Sequence, residues 1–289
     1  MKPVSVMEAA ALPGTTPAAR AAESITPARR WDPRLYQIAT LAGLLGYGVF
    51  WLDLEVQART AVAIVATALA TQLACTWLTG RGRFDPRSAL ISALSLCLLL
   101  RTGALGLAVL TAVVAIASKF TLRVRDKHVF NPTNFALVAM MLVTTSVWVS
   151  PGQWGSGLVF GFLLASAGGL VVNRAARADV TSAFLASWAS LLVARSLWLG
   201  EPLAIPLHRL ENGALVLFAF FMISDPKTTP DSRAGRLLFA TLVALGAYYV
   251  QFRLFRTNGL LWSLAVCSLL VPLIDRLLPG RRYQWRSSP

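Results

Sequence analysis

Two polar runs carry the groups best suited to holding a ligand. One is Lys127-His128-Val129-Phe130-Asn131-Pro132-Thr133-Asn134, and the other is Phe221-Met222-Ile223-Ser224-Asp225-Pro226-Lys227-Thr228-Thr229-Pro230. In the first, Pro132 suits the opening turn of a helix and Asn131 the N-cap before it. The free N–H groups of such a helix end attract an anion, and Lys119, Arg123, Lys127 and His128 lie close by in sequence. In the second, Pro226 lacks a backbone donor and disfavours a helical Asp225, so an apolar segment must turn there. The turn then offers the hydroxyls of Ser224, Thr228 and Thr229, with Lys227, Arg233 and Arg236 nearby. Hydroxyls, amides and cations beside broken-helix ends are what an anionic or ring-shaped polar ligand needs. Plain helix capping, with basic residues that only orient the chain in a membrane, accounts for the same residues. For His128 a loop hydrogen bond is the simpler role.

These runs are set in a strongly apolar chain. Of 289 residues 56% are hydrophobic and only 14% charged, with a mean hydropathy of +0.60. A soluble domain carries about 25% charged residues, because its surface must be hydrated. The chain is therefore read as an all-α polytopic membrane protein of one domain. A net charge of +14, from 27 Lys and Arg against 13 Asp and Glu, would in a soluble chain suggest nucleic acid. Here the basic residues lie mainly in loops between apolar runs, so the expected partner is the lipid bilayer and not nucleic acid. Cys75, Cys97 and Cys267 are isolated within apolar segments and read as small buried hydrophobes, with no metal site expected. The segments hold no chain of carboxylates for a proton relay. The absence of a phosphate loop, a zinc-protease helix and a nucleophile elbow argues against an ATP-driven pump or a self-contained hydrolase.

Ten apolar segments position the two runs, near 35–52, 60–78, 88–100, 103–119, 133–149, 157–173, 180–199, 213–224, 236–253 and 259–277. Trp51, Trp77, Trp148, Trp198 and Trp262 fall near segment ends, where an interfacial aromatic belt would place them. Residues 1–30, rich in Ala, Pro and Thr with no signal-peptide core, are expected to form a disordered cytoplasmic tail. Residues 31–278 form the transmembrane domain and 279–289 a basic cytoplasmic tail. Alternate loops are rich in Lys and Arg, which places both termini and both polar runs in the cytoplasm. The third and eighth segments are the two shortest and stand at matching places in two groups of five. That pattern points to an inverted repeat with a site where the helices break. A ten-helix bundle without such symmetry is the plainer alternative.

Phe130-Asn131-Pro132 followed by Met222-Ile223-Ser224-Asp225-Pro226 resembles the RnfD/NqrB family of membrane electron-transport subunits. The order, spacing and helix count match over most of residues 35–277. The chain is most similar to the branch known as the enediyne biosynthesis protein UnbU. That likeness runs through Asp32-Pro33-Arg34, Asn131-Pro132-Thr133-Asn134, Trp148-Val149-Ser150-Pro151-Gly152-Gln153-Trp154-Gly155 and Ser224 to Pro230. The resemblance implies a five-plus-five inverted repeat like that of urea transporters, and a flavin-bearing subunit passing electrons within a bacterial inner-membrane complex. The family's covalent flavin hangs from a Thr in a Ser/Thr-Gly-Ala-Thr run. In that interval this chain has only Gly155-Ser156-Gly157-Leu158 and Val180-Thr181-Ser182-Ala183, and the glycine-rich lead into the first run is replaced by Arg123-Val124-Arg125-Asp126-Lys127. The expected cofactor is accordingly a non-covalent FMN or riboflavin, or a quinone-like redox ligand, with redox partner subunits and coupling to ion movement. Its binding residues would be Lys119, Arg123, Lys127, His128, Asn131, Pro132, Thr133, Asn134, Ser224, Asp225, Pro226, Lys227, Thr228 and Thr229. A small-solute or natural-product transporter, and an assembly subunit without a site, are the competing readings.

Overall fold

Capping and breaking residues set where each helix starts and stops in the computed structural model, which describes residues 32–51, 56–80, 84–149, 169 and 177–283. The expected N-terminal tail, most of the sixth apolar segment and the end of the C-terminal tail lie outside the described residues.

In the first half, α1 (Pro33–Trp51), α2 (Ala58–Thr79) and α3 (Pro86–Leu99) lead into a two-residue strand, β1 (Leu100–Arg101). Then come α4 (Leu105–Thr121), a hairpin of β2 (Arg123–Val124) and β3 (Lys127–His128), α5 (Pro132–Val143) and β4 (Trp148–Val149). The second half holds α6 (Ala178–Leu199), a short α7 (Ala204–Leu210) and α8 (Gly213–Leu217), which runs on into a π-helical turn at Phe218–Met222. It ends with α9 (Arg233–Phe252), α10 (Gly259–Ser268) and α11 (Val271–Leu277).

Gly80 and Gly200, both left-handed, close α2 and α6, where a residue without a Cβ avoids the steric cost of that conformation. Asn131 caps α5 by accepting the Asn134 N–H, and Ser232 caps α9 by accepting the Gly235 N–H. Arg125 and Asp126 both have positive φ between β2 and β3, the two-residue turn that matches the twist of a tight hairpin.

Among the described residues three helices are long and apolar enough to cross a membrane: α2, α6 and α9. The pair α10 and α11, bent by 51°, makes a fourth if it forms one broken span. The helices α3, α4, α5 and Gly213–Met222 are apolar but shorter. The all-α class therefore holds, with only two-residue strands beside the helices among the described residues, while several expected segments differ in detail. The fifth stops as a helix at Val143, because the Thr144 backbone turns extended and the chain continues into β4, paired with β1. The tenth breaks at Leu269-Leu270, ahead of Pro272, whose ring cannot continue a helical ladder. The eighth is a short α-turn completed by π-helix.

Helix α4 lies against α2 and α5, and α9 lies in the same way against α6 and α10. The halves meet where α5 packs on α10, and there the Asn134 side-chain amide donates to the Leu261 carbonyl at 3.2 Å. Small residues line these contacts. A Cβ on Gly246 of α9 would come within 2.4 Å of Ser263 Oγ on α10, so the absence of a side chain lets the helices approach. Trp51, Trp77 and Trp198 stand exposed at or near helix C-termini, with Trp148 half-exposed, as an interfacial belt requires.

Candidate functional site

The two polar runs, about ninety residues apart in sequence, meet across one cavity. Its floor is the start of α5 (Asn131, Pro132, Thr133), and opposite it lies the turn from Phe220 to Lys227. Asn131 Nδ2 faces Asp225 Oδ2 at 3.4 Å and the Met222 carbonyl at 3.5 Å. The same Asn131 uses its Oδ1 to cap α5, accepting the Asn134 N–H at 3.1 Å, so capping and cavity contact are served by one side chain. The enclosed space is about 80 Å³.

The π-helical turn is what aims the second run. Widening the ladder at Phe218–Met222 shifts the register of the last turn, a distortion common where a helix serves a function. The Ser224 hydroxyl bonds back to the Phe220 carbonyl. The Asp225 carbonyl then accepts the N–H groups of Thr228 and Thr229, each at 3.1 Å. The Asp225 carboxyl is enclosed by protein yet keeps accessible surface and lines the cavity. Burial raises its pKa above the ordinary carboxyl range, against the lowering effect of the Lys227 N–H bond and of Lys119, Lys227 and Arg177.

Two lysines and a histidine line the cavity with this carboxyl. Lys119 is 5% exposed, and its Nζ donates to the Ser88 carbonyl and hydroxyl at 3.1 and 3.2 Å, with Gln72 Oε1 at 3.4 Å. Lys227 lines the cavity half-buried, its pKa lowered by burial although Asp225 raises it. His128, carried in by the hairpin, has its pKa pushed down to about 4, first by burial and then by the cations Arg123, Lys119 and Lys227. Its imidazole is therefore neutral at neutral pH, and Nδ1 is buried with no hydrogen-bond partner among the described residues.

Of the fourteen residues expected from sequence, Lys119, His128, Asn131, Pro132, Thr133, Ser224, Asp225, Pro226 and Lys227 line the cavity. The other five do not. Lys127 points away, held between Asp231 and Asp275 at 2.9 and 2.7 Å. Arg123 donates to the Asp126 carbonyl within the hairpin. Asn134 joins α5 to α10, Thr228 bonds the Asp225 carbonyl, and Thr229 accepts from Arg177 at 3.2 Å. The members that line the cavity are mostly consecutive, 131–133 and 224–227, whereas the other five bond to the elements that support it.

Sequence reading missed the opposite wall. Arg34 and Gln37 of α1 and Ser88, Ser92 and Ser95 of α3 face the same space. The signal was present, since serines at 88, 92 and 95 recur at helical spacing along one face of an apolar segment. Arg34 is itself held by Asp32 and Asp85, and Arg87 also reaches Asp32. That network anchors the start of α1 beside α3. In the interval where the family carries covalent flavin, Gly155–Leu158 lie outside the described residues. Thr181 is buried on α6, donating to the Ala219 carbonyl at 2.9 Å.

Comparison with known proteins gives the chain its relatives. Residues 147–284 match the model of the NQR2, RnfD, RnfE family, a stretch that contains the Asp225 run and begins after the Asn131 run. Among curated proteins it is similar to a component of the ion-translocating oxidoreductase complex of Tolumonas auensis, 38% identical over 80 residues, which is 28% of this chain and 23% of that protein. The component of the same name from Erwinia tasmaniensis is 33% identical over 128 residues, 44% of this chain and 35% of the relative. That of Escherichia coli strain K12 is 31% identical over 139 residues, 48% and 35%. The chain thus matches about a third, or less, of the length of these relatives.

Proposed function

From a chain related to the RnfD/NqrB family through residues 147–284, we propose an integral membrane electron-transport subunit that binds a flavin or quinone-like redox ligand non-covalently in the cavity between Asn131 and Asp225. The observation that carries this reading is the convergence of the two runs on one polar cavity, with Asn131 Nδ2 and Asp225 Oδ2 3.4 Å apart. FMN or riboflavin is the ligand the resemblance implies, held without a covalent link. The residues suit one edge of such a ring system: an imidazole, two lysines and a carboxyl line the same space. About 80 Å³, at roughly 10–15 Å³ for each water held, is room for roughly five to eight waters and would take part of such a ring system.

When bound, such a group supplies the capacity to accept and pass on electrons. The chain supplies the surroundings. Lys119 and Lys227 stabilise negative charge on the ring, worth more in a low-dielectric site than in water. Asn131 and the Ser88, Ser92 and Thr133 hydroxyls orient it, and α5 turns its N-terminus toward it. Redox partner subunits would deliver and remove the electrons, as the names of the relatives suggest for their own complexes, and the transfer would be coupled to ion movement. We place the protein in a bacterial inner membrane with both termini cytoplasmic and with two inverted five-segment repeats. The matching packing of α4 and α9 supports the repeat. A role in enediyne biosynthesis follows only from the UnbU branch it resembles.

The test is an absorbance spectrum, with mass spectrometry of extracted cofactor, on detergent-purified protein and on folded Asn131→Ala and Asp225→Ala variants. Flavin or quinone in the parent, reduced in the variants, is the expected result. A well-folded protein that neither retains nor rebinds either class, even with its partners present, would refute the reading.

A further inference from the structure

The polar groups facing the cavity differ in the sense of the hydrogen bonds they can still make. Asp225 Oδ1 accepts the Lys227 backbone N–H at 3.0 Å. Its Oδ2 has only the long 3.4 Å contact from Asn131, which leaves lone pairs to accept another donor. Asn131 Nδ2 in turn makes only contacts of 3.4 and 3.5 Å and can still donate. Lys227 Nζ has no hydrogen bond or ion pair among the described residues, whereas Lys127 and Arg236 each hold a carboxylate. The three oxygens around Lys119 already occupy its donors, so it contributes charge more than a further bond.

A spare acceptor and spare donors therefore line the same cavity. A simple anion would meet the lone pairs of Asp225, and a simple cation would meet Lys119 and Lys227. A neutral edge carrying an N–H between two carbonyl oxygens satisfies both kinds of group at once. Resting on the redox-ligand reading above, we propose that the cavity recognises the imide edge of a flavin-class ring, with Asp225 Oδ2 accepting its N–H while Asn131 Nδ2 and Lys227 Nζ donate to the flanking carbonyls. A quinone has carbonyls but no N–H, and would set an oxygen against Asp225. The space agrees with this, since about 80 Å³, at roughly 10–15 Å³ for each water held, has room for the imide edge.

The experiment is a titration of the detergent-purified full chain with lumiflavin, N3-methyl-lumiflavin and menadione, read by flavin fluorescence and, for menadione, by competition. Lumiflavin should bind at least about tenfold more tightly than its N3-methyl analogue, the loss expected when a hydrogen bond to a charged group is removed. Asp225→Asn, which keeps the side-chain size, should weaken lumiflavin and bring the two flavins to within about threefold. Equal binding of the two flavins by the parent chain overturns the imide assignment and leaves the flavin reading standing. A ratio unchanged in folded Asp225→Asn means that the methyl group is excluded by bulk, and overturns it too. Menadione binding more tightly than lumiflavin overturns it in favour of a quinone. No binding of any of the three by the folded chain overturns the imide assignment, and the same result with its partner subunits present removes the redox-ligand reading itself. The comparison of ligands on the parent chain needs no variant to fold.

Discussion

Lys127 offers the sharpest test of how the cavity is held together. Its ammonium sits between Asp231 at 2.9 Å and Asp275 at 2.7 Å, with side chains only 10%, 12% and 18% exposed. Asp275 also accepts the Asp231 backbone N–H at 2.8 Å through its other oxygen. One lysine thereby ties the hairpin that carries His128 to the loop after Pro230 and to α11. Replacing it with Met keeps the stem and leaves two neighbouring carboxylates without their cation. Breaking a fully buried pair costs about 3–5 kcal/mol, and the residual exposure here reduces that to about 2–4 kcal/mol. At about 2–4 °C per kcal/mol for a domain of this size, Lys127→Met should lower the thermal midpoint by roughly 5–15 °C. The buried thiols of Cys97 and Cys267 make a thiol-reactive dye a direct reporter of unfolding in detergent, with Cys75→Ser as background. Adding Asp275→Asn removes one stranded charge while keeping an acceptor for Asp231, so the double variant should regain part of the loss. A Lys127→Met midpoint within about 1 °C of the parent, against the several degrees such a pair is worth, would refute the clamp.

Two further outcomes follow from the same geometry. With the His128 pKa at about 4 in the fold and about 6.5 when exposed, the unfolded chain takes up the proton first. Its contribution is thus complete above about pH 6.5 and is lost as pH falls toward 4, with a slope of up to about 1.4 kcal/mol per pH unit. Thermal midpoints measured across that window should decline less steeply in His128→Gln, and parallel profiles would contradict the burial of a neutral imidazole. On α9, Gly246→Ala would press a methyl group against Ser263 Oγ, which donates to the Val243 carbonyl at 2.7 Å. Overpacking of this kind costs about 1–3 kcal/mol. Gly246→Ala combined with Ser263→Ala should recover most of it in the same melting assay, and no recovery would place the strain elsewhere.

What the sequence by itself determined was local. Apolar segments and sparse charge showed a membrane protein, because the hydrophobic requirement of a bilayer is written into composition. Asn131-Pro132 and Asp225-Pro226 marked a helix start and a helix end, because proline's fixed φ and missing N–H act on immediate neighbours. The resemblance to a redox family rested on the same few residues. The sequence also showed that the third and eighth segments were short, which is where α3 and the π-turn now face the cavity.

Only the tertiary structure decided which side chains share a space. It set Ser88, Ser92, Ser95 and Arg34 across from Asp225, and it sent Lys127 to Asp231 and Asp275 instead of to the cavity. It also replaced the end of the fifth segment by a strand paired with β1 and broke the tenth at Leu269-Leu270. A charge chooses its partner by distance in space, and residues 104 and 148 positions away in the chain leave no trace in local periodicity or spacing. Cavities have the same origin. They are what remains after helices from distant parts of the chain have packed, so their walls belong to no single run of residues.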